Sequence, residues 1–272
     1  LALDRVAGCE FDVAVFTNLT QDHLDLHGDM QNYFAAKARL FGGLSLCGKP
    51  GKLAIVNIDD PVAPLLIRES KVPVVTYGIK QAADIRAIEI ALTPQGSSFK
   101  ILQAGKLRGA TSVPTPGHFS VYNALAAIAV AWQEGITWSS ICGILPKSEP
   151  VPGRFESIRA GQPFDIIVDY AHTPDGLESI LQTARDFTNG RIIVIFGCGG
   201  DRDRGKRPQM GRVASQLADI VIITTDNPRS EDPRQIARDI MRGVMSNSEV
   251  IVDLDRASAI RRAVSMAAPG DA

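Results

Sequence analysis

Paired cysteines are missing from this chain. Its four cysteines, Cys9, Cys47, Cys142 and Cys198, lie far apart and form no CxxC or other metal-ligand spacing. That excludes a zinc ribbon and a disulfide-stapled small fold, and it suits a reduced, cytosolic setting. Long hydrophobic runs are missing too, since the longest clean one, residues 124–132, is about half of the roughly 20 residues that span a bilayer. No basic segment followed by an apolar one opens the chain, so no secretory signal is visible. Charge of one sign is also lacking: 29 Lys plus Arg stand against 30 Asp plus Glu. No whole-molecule field draws the protein onto nucleic acid or an anionic membrane, and any recognition of anions must be local. Solenoid repeats and low-complexity tracts are absent as well.

What is present is ordinary globular material, 45% hydrophobic and 22% charged. The 272 residues exceed the roughly 100–200 of a usual domain, which points to two domains or pieces of two. The chain begins at Leu1 rather than Met and ends in a turn-like Pro-Gly-Asp-Ala, so an internal fragment of a larger protein is expected. Short apolar runs at 12–17, 53–57 and 72–77 read as strands, and 30–41 and the stretch after Asp60-Pro61 read as helices. This alternation implies a parallel sheet covered by helices. Residues 84–113 alternate and are broken by Gly96 and Gly105, the pattern of antiparallel hairpins, and a helix follows over about 121–133.

Residues 149–153 (EPVPG) have linker composition, which puts a boundary near 157 and gives domains 1–157 and 158–272. Beyond it, strands at 165–169, 192–196, 220–224 and 250–254 alternate with helices from Pro174, about Gln209 and Pro233, and with a last helix through Met266. Four β-α units of this kind make a doubly wound α/β sheet. Its ligand edge lies where the strands end, at Asp169, at 197–200 and at 225–229.

Two stretches imitate a phosphate-binding loop and fail. GLSLCGK at 43–49 is followed by Pro50, which has no hydroxyl for a metal and cannot continue the helix, and GDRDRGK at 200–206 is followed by Arg207 and carries two acids where phosphates would lie. Other candidates remain. DHLDLHGD at 22–29 packs three carboxylates and two imidazoles after a strand, donors that suit Mg²⁺ or Mn²⁺ and equally make a solvated turn or a cap. Lys37 sits among small alanines on the next helix, either near a partly buried site or in solvent. Asp169 ends a strand just before Thr173-Pro174, a helix-start pair. Four bases in 201–207, with Asp226-Asn227-Pro228-Arg229, stand at neighbouring strand ends, where arginine can grip a carboxylate or merely pair with surface acids.

TNLTQDHLDLHG at 17–28, YFAAK at 33–37, PGRFE at 152–156, DYAHTP at 169–174, GCGGDRD at 197–203 and DNPR at 226–229 follow one another as they do in Mur ligases. Over essentially its whole length the chain resembles that family, and within it the diaminopimelate-adding type. The resemblance implies a partial central ATPase domain followed by a Rossmann-like carboxyl-terminal domain. It implies a cytoplasmic, monomeric enzyme of peptidoglycan synthesis that uses ATP and Mg²⁺. Such an enzyme adds meso-2,6-diaminopimelate to UDP-N-acetylmuramoyl-L-alanyl-D-glutamate through an acyl phosphate, with no nucleic acid or membrane as partner.

On the same basis His23 is expected as a magnesium ligand, and Lys37 as a lysine that CO₂ converts to a carbamate and so to an anionic metal ligand. Asn123, Arg154 and Asp169 are expected on ATP, with Arg154 near phosphates and Asp169 near the ribose. Arg5 is expected on the UDP-muramoyl substrate, and Arg202, Asp226, Asn227, Pro228 and Arg229 on diaminopimelate. Three features depart from the family pattern: Ser120 stands where a second Asn is usual, the phosphate-binding loop is expected before Leu1, and a Gly-Lys-Gly-His-Glu segment is expected beyond Ala272. The chain alone is therefore expected to release no phosphate from ATP with both substrates present. The rival readings are an L-lysine-adding or folylpolyglutamate ligase, which the DNPR stretch disfavours, and a non-catalytic binding module.

Overall fold

The structure, a computed structural model, describes residues 1–22, 24–46, 48–245 and 248–272. The chain forms two compact units, Leu1–Thr20 with His27–Glu149 and Gln21–Leu26 with Pro150–Ala272. A four-residue helix α1, Leu24–His27, lies at a junction of the two segments. Among the described residues no helix is long and apolar enough to cross a membrane.

The first unit is built on a six-stranded sheet, β1 (Val13–Phe16), β2 (Leu53–Asn57), β3 (Val74–Gly78), β4 (Ile85–Thr93), β5 (Gly96–Gln103) and β6 (Lys106–Val113), in that spatial order. Pairing is parallel from β1 to β4 and antiparallel from β4 to β6. The strand β2 explains the layering, because all five of its residues are buried. Leu53 and Ile55 pack with Val121, Leu125 and Ile128 of helix α4 (His118–Gln133). Ala54 and Val56 point the other way, onto Ala38 and Phe41 of α2 (Met30–Gly43) and Ala63 and Leu66 of α3 (Ala63–Glu69). A strand covered on both faces has no polar side to show, which is why Leu53 to Val56 read as an apolar run that only Asn57, at its end, interrupts. Helix α5, Trp138–Ile144, completes the unit.

Helix α4 begins three residues before the expected start. Gly117, at φ 98°, turns the chain in a conformation that suits glycine, and the buried Ser120 hydroxyl lies within reach of the carbonyls of Thr115 (2.7 Å) and Gly117 (2.6 Å). Ser120 thus ties the first turn of α4 inward.

The second unit holds a parallel sheet in the order β11 (Glu249–Val252), β10 (Ile220–Ile223), β9 (Ile193–Phe196). Helices α6 (Pro174–Arg185), α7 (Lys206–Leu217) and α8 (Pro233–Met241) supply Leu177, Leu181, Met210, Ile236 and Ile240 to one face. Helix α9 (Arg256–Met266) covers the other with Ala259 and Ala263. Side chains of Thr173, Asp232 and Asp255 cap α6, α8 and α9.

The expected fourth strand at 165–169 does not join this sheet. Only β8 (Ile167–Val168) is extended there, and it pairs antiparallel with β7 (Glu156–Ser157). The β9 edge is taken by the end of the chain instead: the Ile193 N–H donates to the Ala272 carbonyl (2.8 Å) and the Ala272 N–H to that of Arg191 (2.9 Å). Asp271 holds this segment by accepting from Nε and Nη2 of Arg191 at 3.1 and 2.8 Å. Helix α7 also starts earlier than expected, at Lys206, because Asp203 accepts the Gly205 N–H at 2.8 Å and Pro208 falls in the first turn, where no donor is needed.

Candidate functional site

In the second unit the loops that leave β9 and β10 lie against each other at the carboxyl ends of the strands. Their fit depends on missing side chains. A Cβ on Gly197 would come within 2.3 Å of the Thr224 carbonyl oxygen, and one on Gly200 within 1.8 Å of that of Pro228. The Gly200 N–H donates to the Asn227 carbonyl at 2.9 Å. Arg229 holds a left-handed backbone at φ 51°, and its Nη1 donates to the Gly200 carbonyl at 2.7 Å. Arg202, Asp226, Asn227 and Arg229 are all exposed on this edge, with Pro228 half-buried between them.

Residues that the sequence reading did not single out lock the two loops together. Arg207 is completely buried and forks onto Glu231, Nη1 to Oε2 at 3.0 Å and Nη2 to Oε1 at 2.8 Å, while Nη1 also meets Asp239 at 3.0 Å. Glu231 accepts the Asp201 N–H at 2.7 Å as well, and Asp201 accepts the Ser230 hydroxyl at 2.7 Å. A buried guanidinium is tolerable only with such fixed partners. In the sequence Arg207 is one of four bases in 201–207, and its partner Glu231 stands two residues after Arg229.

The Arg207 hydrogen bonds outweigh burial and pull the Glu231 carboxyl down to about 2 from its ordinary 4.5. A depressed carboxylate contributes stability in full above its unfolded value, and that contribution fades as pH falls through the folded value. Acid unfolding followed by circular dichroism should therefore lose this contribution between about pH 4.5 and pH 2. Glu231→Gln should flatten the curve in that window; an unaltered curve would assign the acid sensitivity elsewhere, for instance to Asp271, which Arg191 also holds at about 2.

Arg154 and Asp169 are brought together in the same unit. Asp169 accepts the Phe155 N–H at 2.8 Å through one oxygen and the Ala171 N–H at 2.7 Å through the other. The guanidinium of Arg154 lies over the Tyr170 ring, 4.6 Å from its centre, a cation–π contact. Asp22 of the acidic loop lies 3.4 Å from Nε2 of His172 and 3.9 Å from the buried Lys206.

In the first unit Lys37 is half-buried on α2, its Nζ 5.1 Å from the centre of the Tyr33 ring one turn earlier. Tyr33 in turn stacks on His27 at 4.7 Å. Asp29 caps α2 by accepting the Asn32 N–H at 2.7 Å. His23 lies outside the described residues. Among the described residues no group of three or more His, Cys, Asp or Glu could hold a metal ion. Arg5 is exposed in the turns before β1, and Asn123 is exposed on α4.

A polar knot stands at the carboxyl ends of β2 and β3, unmarked in the sequence reading. Asn57 donates to the Thr17 carbonyl at 2.9 Å, and Asp60 accepts the Leu19 N–H at 2.9 Å, which together pin the start of the 17–28 stretch. Asp59 accepts the N–H groups of Ile79 (2.6 Å), Lys80 (2.9 Å) and Gln81 (2.8 Å) and the Tyr122 hydroxyl (2.8 Å). Burial would raise its carboxyl, but these four donors together hold it below the ordinary range.

Residues 1–131 match the Mur ligase middle domain, and residues 153–272 match the Mur ligase, glutamate ligase domain. The UDP-N-acetylmuramoyl-L-alanyl-D-glutamate--2,6-diaminopimelate ligase of Syntrophomonas wolfei is 49% identical over 273 residues, 100% of this chain and 55% of its own length. The ligase of that name from Synechococcus elongatus is 50% identical over 277 residues, 99% of this chain and 54% of its own. The chain thus spans about half the length of the curated relatives it matches. A solved structure of a ligase with the same name is 36% identical, with a TM-score of 0.61 over 99% of this chain and 56% of that one. MurF from Acinetobacter baumannii, at 22% identity and a TM-score of 0.76 over 94% of this chain and 53% of that one, shares the fold. With both matched domains in their order along the sequence, the chain belongs to the Mur ligase family.

Proposed function

We propose that the ligase carrying this chain is of the MurE type. It joins meso-2,6-diaminopimelate to UDP-N-acetylmuramoyl-L-alanyl-D-glutamate at the cost of ATP, in the cytoplasm and as a monomer, during peptidoglycan synthesis. The observation that carries this reading is the apposed pair of loops at the β9 and β10 ends, which gathers Arg202 and Asp226 to Arg229 on one exposed edge. The likeness to diaminopimelate ligases at 44–50% identity over nearly the whole chain supports the choice of amino acid.

In this reaction ATP phosphorylates the side-chain carboxylate of the D-glutamyl residue, and an amino group of diaminopimelate displaces the phosphate. The chain's own residues position and screen charge. Arg154, exposed and steadied by Tyr170, offers a cation to phosphates. Asp169 spends one acceptor site on each oxygen on backbone N–H groups, and a carboxylate has further lone pairs for a ribose hydroxyl. Asn123 on α4 would meet the nucleotide, and Arg5 the UDP-muramoyl substrate.

Magnesium belongs to this proposal through His23 and a carbamylated Lys37, and it would offset charge on the transferring phosphoryl group. The described donors fit it only in part, because an ammonium has no lone pair for a metal and no cluster of three donors stands ready among them.

Phosphate release from ATP should require both the UDP-muramoyl dipeptide and diaminopimelate, and L-lysine should replace the latter poorly. Equal turnover with L-lysine, or turnover indifferent to the amino acid, would overturn the reading.

A further inference from the structure

Arg207 has no exposed surface, so it touches no substrate, yet its partners reach both loops of the edge that carries Arg229. Through Glu231 it is tied to the Asp201 N–H, through Asp239 to α8, and its Nη2 lies 3.4 Å from the Gly199 carbonyl. Asp201 accepts both the hydroxyl and the N–H of Ser230, at 2.7 and 3.2 Å. Arg229 therefore sits between two anchored points: Asn227, whose carbonyl accepts the Gly200 N–H, and the Ser230-Glu231 pair.

Arg229 also needs holding. Its backbone lies in the left-handed region, which a non-glycine residue keeps only when its surroundings over-determine it. A Cβ on Gly199 would come within 2.8 Å of its Nη1, so the side chain is already in close contact with the glycine loop. Slack in the Arg207–Glu231 fork would be felt first by the DNPR loop. The sheet beneath rests on apolar contacts of Met210, Ile236 and Ile240 that the fork does not supply.

We propose that the buried Arg207–Glu231 fork is a positioning device for amino-acid selection, fixing Arg229 in the place from which it reads the incoming substrate. This rests on the reading of Arg229 as a diaminopimelate contact. Arginine is required rather than a generic cation, because only a guanidinium presents two parallel N–H groups to Glu231 while reaching Asp239.

The test is a cycle of substitutions in the ligase that carries this chain, with KM for diaminopimelate, KM for ATP and kcat measured for each variant. Arg207→Lys keeps the charge and loses the fork. It should raise KM for diaminopimelate roughly three- to tenfold and narrow the preference over L-lysine, with kcat and KM for ATP within about twofold. Combined with Arg229→Ala, it should add nothing further to KM for diaminopimelate, since it acts through a side chain that is gone. Glu231→Gln, which keeps the shape and weakens the fork from the other side, should reproduce the pattern if Arg207→Lys folds poorly. Effects that multiply in the double variant, or kcat and both KM values moving together, would make Arg207 a stabilising residue only and overturn the proposal. A flat KM in Arg229→Ala alone would remove the diaminopimelate reading itself and the proposal with it, an outcome the single variant reports separately.

Discussion

Lys37→Ala is expected to lose roughly 100-fold or more in kcat, the scale seen when one preorganised group acting on transferring charge is removed. Its ammonium is half-buried and faces the Tyr33 ring, so the site as described favours a cation there. Carbamylation would reverse that preference, because the negative ring face that attracts the ammonium repels the anionic oxygens of a carbamate. The carbamate is then expected to swing off Tyr33, away from the His27–Tyr33 stack. Two measurements check this. Added bicarbonate or a small carboxylic acid should partly restore the alanine variant, and ¹³C-labelled CO₂ should give a carbamate signal in the wild type that Lys37→Ala lacks. Near-normal turnover in the variant would return Lys37 to an ordinary helix lysine.

Arg229→Ala is expected to raise KM for diaminopimelate strongly while narrowing its advantage over L-lysine. Diaminopimelate carries a second carboxylate on its distal carbon, which a guanidinium can hold through two hydrogen bonds, and L-lysine offers nothing there. A fully buried arginine left unpaired would cost about 2–5 kcal/mol. Arg229 is exposed, however, and its Nη1 already donates to the Gly200 carbonyl at 2.7 Å, so L-lysine does not strand it. That penalty therefore does not apply, and what separates the two substrates is the charge-assisted contact that diaminopimelate gains, about 2 kcal/mol or roughly 30-fold discrimination. Competition between the two amino acids measures it, and an unchanged preference in the variant would make Arg229 a structural loop residue.

The parallel strands were legible because burial on both faces leaves no polar alternation: LAIV of β2 and IVII of β10 are short apolar runs, too short for buried helices and bounded by polar or turn residues. Helix starts were legible where a cap and a proline coincide, as at Thr173-Pro174 and Asp232-Pro233. The segment at 165–169 misled because its apolar residues resemble an edge strand, and only the position of Asp271 and Ala272 shows that the β9 edge is already taken. Arg207 was hidden for a related reason. In sequence it is one of four bases in a polar loop, and nothing local distinguishes the one that tertiary packing turns inward from those left in solvent.

Ser120 shows how a family pattern and a local structure separate. Its hydroxyl faces the Thr115 and Gly117 carbonyls rather than the exposed side of α4, where Asn123 stands three residues on. A change at this position acts on how the helix starts before it acts on any ligand.

The Asp59 knot has a consequence for motion. Three loop amides and one helix hydroxyl converge on a single carboxylate, so none of the four hydrogen bonds can be lost by local fraying without loosening the others. Loop amides ordinarily exchange with deuterium one by one and fast. Those of Ile79, Lys80 and Gln81 would instead share one slow opening event with the Tyr122 turn of α4, so this part of the first unit breathes as a single cooperative piece.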